Sequence, residues 1–229
     1  MTDNMRKTNS PTVHAEESFQ LERIALFSDA VFAIAITLLI IEIRIPELHA
    51  ETLTDRVLLR ELLPVVTKLI GFLISFFVIG LYWFSHHRMF RYVTRVNHKL
   101  LWNNLLFLLP IVIMPFSTSF LSEYYFNSSL RLPLAVYTIT ICLSGYFSFR
   151  LWNIIGSPAN HIGQNLGKEQ LSYNIARSLT IPIVFICALF ISFISIKCSY
   201  FIPPLAPLVT RFIKTRYSKK YPALKGAMG

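Results

Sequence analysis

Acidic residues are scarce in this chain of 229 residues: twelve Asp and Glu stand against twenty-two Lys and Arg, and charged residues of either sign make up only 15% against 54% hydrophobic. That balance excludes a soluble globular domain. Cysteine is sparse too. Cys142, Cys187 and Cys198 are odd in number and lie inside or beside apolar stretches, so they suggest neither a disulfide framework nor a metal cluster. The eight glycines form no nucleotide-binding pattern. No Gly-x-Ser-x-Gly elbow and no His-Glu-x-x-His zinc helix occurs, and His86 and His87, being adjacent, point about 100° apart on a helix. Ser28 beside Asp29 lacks a neighbouring base. No enzymatic reaction, metal or cofactor is therefore expected.

Long stretches without charge are abundant. Leu69–His87, Leu101–Ser122, Leu132–Phe149 and Ser178–Ile196 contain no Asp, Glu, Lys or Arg, and each is long enough to cross a bilayer as a helix. Ile24–Ile41 is interrupted only by Asp29, and Cys198–Thr210 is shorter and carries Pro203, Pro204 and Pro207. The first apolar run follows Glu16, Glu17 and Glu22 and continues into Glu42 and Arg44 without a small-residue cleavage site, so a removable signal peptide is not expected.

Lys and Arg accumulate on the cytoplasmic side of membrane proteins, which tests the number of crossings. With six crossings and a cytoplasmic N-terminus, sixteen of the twenty-two lie inside and only Arg44, Arg56, Arg60, Lys68, Arg131 and Lys197 lie outside. Five crossings would put the basic tail from Arg211 to Lys225 outside. The expectation is an all-α integral membrane protein with spans at about 20–45, 65–88, 99–122, 131–154, 174–196 and 199–213. A cytoplasmic arm (1–18) precedes the six-helix unit (19–213), and a basic cytoplasmic tail (214–229) follows. Loops facing an anionic leaflet explain the net charge of +10. The basic residues are divided among loops with no motif to organise them, which argues against nucleic acid as a partner.

Polar chemistry is concentrated in the first span. A carboxylate at mid-bilayer costs about 2.5 to 3.5 kcal/mol on insertion scales, so Asp29 is expected to face protein or water and to have a partner. A helical wheel puts Phe27, Ile34 and Ile41 along one line with Arg23, Ala30 and Leu38 beside it and Thr37 at its edge, and turns Ser28 and Asp29 well over 100° away. Span two ends at Trp83, His86 and His87, while span three begins with His98, Trp102, Asn103 and Asn104. These side chains share the depth of Asp29, and an imidazole, indole N–H or amide among them would satisfy the carboxylate. Two readings remain open for Asp29, a packing anchor or a proton relay with His86 or His87.

The string Arg23-x-x-x-Phe27-Ser28-Asp29 followed by Ala-Val-Phe-Ala-Ile-Ala-Ile-Thr resembles the signature first helix of the transmembrane protein 175 family of potassium channels, and Trp83-x-x-His86-His87-Arg88 resembles the end of its second helix. With one copy of six spans the chain is similar to the bacterial branch. The resemblance covers roughly 23–211. It implies a homotetramer in the plasma membrane of a bacterium, with a central pore lined by the first helix and potassium as the permeant ion. Residue by residue, it puts the apolar constriction on Ile34, Leu38 and Ile41 and ion selectivity on Thr37. Arg23, Phe27, Ser28 and Asp29 become the motif that anchors the pore helix.

A Thr-Val-Gly-Tyr-Gly carbonyl filter is absent, so selectivity must arise otherwise. A ring of four Ile34 side chains would demand partial dehydration, which favours potassium over sodium because the larger ion sheds water more easily, and the Thr37 hydroxyls would replace some of that water. Glu42, Glu47, Glu51, Asp55 and Glu61 either concentrate cations at the outer mouth or are ordinary solvated charge. The alternative to a potassium leak channel is a proton- or ion-coupled transporter that uses Asp29 with His86 or His87.

Overall fold

The computed structural model describes residues 11–44, 54–124, 130–163 and 166–222. Its elements are α1 (Pro11–Ile41), α2 (Asp55–Phe90), α3 (His98–Glu123), α4 (Leu132–Gly156), α5 (Lys168–Ser192), a four-residue α6 (Ile196–Ser199) and α7 (Ala206–Lys220). Five helical segments are long and apolar enough to cross a membrane: Glu16–Ile41, Val65–Phe90, His98–Glu123, Leu132–Gly156 and Lys168–Ser192. These correspond to the first five expected spans. The helix of the expected arm starts at Pro11, about two turns before residue 18.

Over 199–213 a single continuous helix does not form. Pro203 and Pro204 sit in a 3₁₀ turn, Pro203–Leu205, between α6 and α7, because proline supplies no backbone N–H to continue a helix. The broken segment nevertheless follows α5 along its length. Phe201 and Phe185 line one cavity, Thr210 lines another with Ser178 and Ile181, and Tyr217 Oη lies 3.0 Å from Ser172 Oγ.

The central helix of the packing is α3, which touches α1, α2 and α4, while α4 also packs on α5. The core takes Phe32 and Leu39 from α1, Ile79 and Met89 from α2, Phe107, Ile111 and Met114 from α3, Ile141 and Trp152 from α4, and Phe185 from α5. A lipid environment offers little hydrophobic drive between helices, so close packing and hydroxyl bonds carry more of the association. At Gly145 an added Cβ would run into the Pro182 ring, so this glycine sets the approach of α4 and α5. Thr118 Oγ1 bonds Ser75 Oγ at 2.7 Å, Ser75 Oγ lies 2.8 Å from Tyr137 Oη, and Ser117 Oγ lies 2.8 Å from Thr140 Oγ1. These pairs tie α2, α3 and α4 together at mid-height. Lys68 and Glu123, 2.6 Å apart, close α2 on α3 at one end. At the other end, Thr94 N donates to Ile162 O at 2.7 Å, joining the α2–α3 loop to the α4–α5 loop beside a Val93–Gly163 bridge.

Candidate functional site

Helix α1 has two faces with different fates. Ser28, Phe32, Ala35 and Leu39 recur at helical spacing and are buried against α2 and α3. Opposite them, Ile34 is 58%, Leu38 39% and Ile41 68% exposed, with Phe27, Ala30, Ala33 and Thr37 exposed beside them. The apolar stripe expected from the wheel is therefore a face that the rest of the chain leaves uncovered.

The polar pair on the opposite side is hydrogen-bonded to α2 and α3. Trp83 Nε1 donates to Asp29 Oδ1 at 2.8 Å. Asn104 Nδ2 donates to Ser28 Oγ at 2.9 Å, Ser28 Oγ donates to Ile24 O at 2.8 Å, and Asn104 Oδ1 lies 2.8 Å from His86 Nε2. Because the Asn104 amide uses its nitrogen on Ser28, its oxygen must accept, so His86 carries its proton on Nε2. The His86 ring lies parallel to Phe107 at 5.6 Å and against Phe90 at 4.3 Å. One chain of donors thus runs from α2 through α3 to α1. A second bond joins α2 to α1 directly.

Of the expected partners, Trp83, His86 and Asn104 converge on Ser28 and Asp29. His87 is exposed and stands beside Trp83, with ring centroids 5.9 Å apart. Trp102 is 61% exposed and points away from the cluster. Asn103 turns back on its own helix, Nδ2 to Lys99 O at 2.8 Å, because it is one residue and about 100° off the Asn104 direction. His98 is exposed at the start of α3. Arg23 and Phe27 stay on the exposed side, where they border a groove with Gln20, Leu101 and Leu105, and the Arg23 guanidinium lies 5.8 Å from the Phe19 ring centroid. Asp29 and His86 are thus held by different partners, Trp83 and Asn104.

Thr37 Oγ1 donates to Ile34 O at 2.9 Å. Its proton is committed to its own helix, so its oxygen lone pairs remain for an electropositive partner on the exposed face. Glu42 and Asp55 are exposed at the ends of α1 and α2, whereas Glu47, Glu51 and the side chain of Glu61 lie outside the described residues. Among the described residues there is no group of three or more His, Cys, Asp or Glu able to hold a metal ion. The hydroxyl pairs of α2, α3 and α4 were missed in the sequence, since Ser and Thr in apolar runs are too common to single out.

A family model described as endosomal/lysosomal potassium channel TMEM175 matches residues 23–115. A protein of Chamaesiphon minutus named potassium channel is 34% identical over 189 residues, covering 82% of this chain and 91% of the relative. A protein of Gallus gallus named endosomal/lysosomal proton channel TMEM175 is 27% identical and covers 78% of this chain, which spans 37% of that relative. Among solved structures, the crystal structure of a lysosomal potassium-selective channel TMEM175 homolog from Chamaesiphon minutus superposes with a TM-score of 0.68 at 29% identity, covering 86% of this chain and 98% of that one.

Proposed function

The chain belongs to the TMEM175 family, and on that premise we propose that it is a potassium-selective leak channel whose conduction path is lined by α1 of four identical subunits. The observation that carries the reading is the uncovered stripe of Ile34, Leu38 and Ile41 on a helix whose opposite face is pinned by Trp83 and Asn104. A helix meant only to face lipid needs no such fixing. A pore helix does, because a rotation of a few tens of degrees would remove the constriction from the axis.

In this reading the small residues Ala30 and Ala33 let neighbouring α1 helices approach closely. Four Ile34 side chains then form an apolar ring that opposes a hydrated ion and gates by dewetting. The Thr37 oxygens, one turn away with lone pairs free, offer an ion some of the coordination it loses at the ring. The sixth crossing is made by the broken α6–α7 segment packed along α5, since interrupted backbone at membrane depth is tolerated where it lies against protein. Both termini then lie in the cytoplasm of a bacterial cell, with the basic residues on the inner side as the distribution of charge requires.

The test is the reversal potential of the purified protein in a planar bilayer between potassium and sodium solutions. Unitary currents that reverse toward the potassium equilibrium potential are expected. A slow flux coupled to protons, without unitary steps, would instead favour a transporter.

A further inference from the structure

Close packing leaves few voids larger than a water molecule inside a protein. This bundle holds a cavity of about 190 Å³ among α2, α3, α4, α5 and the 3₁₀ turn Pro203–Leu205. Ile74, Leu121, Leu134 and Phe185 give it apolar walls, and Pro203 and Pro204 line one side. The compact proline rings of the broken segment reach less far inward than longer side chains would, which leaves the space unfilled. Ile70 and Phe201, both exposed, stand at its edge, so it opens on the apolar flank of the bundle and not on the α1 stripe. A cavity of about 150 Å³ walled by Leu, Ile and Phe stays dry and admits benzene. This one has room for a single aromatic ring with a substituent.

Part of the wall is polar. Ser75, Thr118 and Tyr137 all line the cavity, and their hydroxyls form a chain: Thr118 Oγ1 and Ser75 Oγ are 2.7 Å apart, and Ser75 Oγ and Tyr137 Oη 2.8 Å. Thr118 Oγ1 also lies 2.8 Å from Met114 O. Each hydroxyl has one proton to give. If Thr118 gives its proton to Met114 O, then Ser75 donates to Thr118 and Tyr137 to Ser75, which leaves lone pairs on Tyr137 Oη. If Thr118 donates to Ser75, then Ser75 donates to Tyr137, which leaves the Tyr137 proton to be placed. In both senses the chain ends at Tyr137 with hydrogen-bonding capacity unused. A hydroxyl on a ligand matches either sense, since it both gives and accepts.

We propose that this cavity is a binding site for a small neutral molecule with a compact apolar body and one hydroxyl, of the phenol class, oriented by a hydrogen bond to Tyr137 Oη. Apolar walls with a few placed polar groups are the usual makeup of a small-molecule site. A charged ligand is disfavoured, because none of the described residues lining the cavity is Lys, Arg, Asp or Glu. An acyl chain of a bilayer lipid would fill the apolar part without using Tyr137 Oη. The site is separate from α1 and does not depend on what the protein conducts.

Fluorine NMR of para-fluorophenol with the intact protein in phosphatidylcholine nanodiscs provides the test, with empty discs giving the signal of probe dissolved in the bilayer. Wild type should add a second, saturable signal that unlabelled phenol displaces. Leu134→Phe and Ile74→Phe each add volume at the cavity wall and should lose that signal, and their unfolding midpoints, read alongside, separate a filled cavity from a lost fold. Tyr137→Phe keeps the ring and removes the hydroxyl. It should lower the affinity for para-fluorophenol relative to para-fluorotoluene by about three- to tenfold, the worth of one hydrogen bond, and this ratio is indifferent to a change in stability. The proposal is overturned by the absence of a saturable signal in wild type, which is the result expected if an acyl chain holds the cavity. A signal that persists in both filled variants, or an unchanged affinity ratio in Tyr137→Phe, overturns it equally.

Discussion

At Asn104 two bonds of opposite sense meet: its oxygen receives from His86 and its nitrogen gives to Ser28. Removing that side chain strands a buried imidazole N–H, so Asn104→Ala should cost about 2 kcal/mol or more. Asn103→Ala breaks only a bond to its own helix and should cost less. Thermal unfolding of the two variants, side by side, checks the order. Trp83→Phe keeps an aromatic ring but removes the donor to the Asp29 carboxylate, and a charge-assisted bond of that kind is worth about 1.5 to 3 kcal/mol. This part of the molecule was legible because an acid in an apolar run demands partners, and the residues at its depth could be enumerated. Trp102 and Asn103 were included with them because depth alone does not fix direction. The facing of a side chain depends on how α3 is rotated, which is set by Phe107, Ile111 and Met114 in the core.

At the scale of the element, the proposed function has α1 separate stability from conduction on its two sides. Phe32 is buried against His86 and Phe107, so Phe32→Ala should destabilise the protein by about 3 to 5 kcal/mol while the ion preference of whatever folds stays unchanged. Thr37→Ala, on the exposed side, should leave the unfolding midpoint within about 0.5 kcal/mol of wild type and move the reversal potential toward that of a non-selective pore. Bilayer recordings paired with thermal melts distinguish the two outcomes. The wheel anticipated both faces because the 3.6-residue period survives any tertiary context. What lay beyond periodicity was the form of the last segment. The last span was expected over 199–213 as a shorter, proline-bearing crossing, whereas where it breaks and resumes helix is decided by packing along α5, through contacts such as Tyr217 with Ser172 that involve residues 45 apart.

For the whole molecule, charge distribution supports a proposed orientation and hydropathy located the five long apolar helices, while assembly was open to neither. A subunit interface is built from surface that looks, in one chain, like any lipid-facing surface. In the proposed tetramer the exposed Ile34, Leu38 and Ile41 face the same residues of neighbouring copies. Under the proposed orientation, single cysteines introduced at residue 3 and at residue 228, in a background with Cys142, Cys187 and Cys198 replaced by Ser, should both be protected from a membrane-impermeant maleimide in intact cells and react after permeabilisation. Reaction of only one of them in intact cells would mean an odd number of crossings, and reaction of both would invert the orientation.

The central claim is that the uncovered face of α1 is the conduction path, and single-channel recording of wild type and Ile34→Asn in the same bilayer tests it most directly. Replacing the apolar ring with amides lowers the desolvation barrier, and a reduction of about 1 kcal/mol raises the rate of passage about fivefold. The account predicts a larger unitary conductance for Ile34→Asn, with the same oligomeric state as wild type. Equal conductance and an equal reversal potential in the two proteins would contradict it and reduce the stripe to a lipid-facing surface.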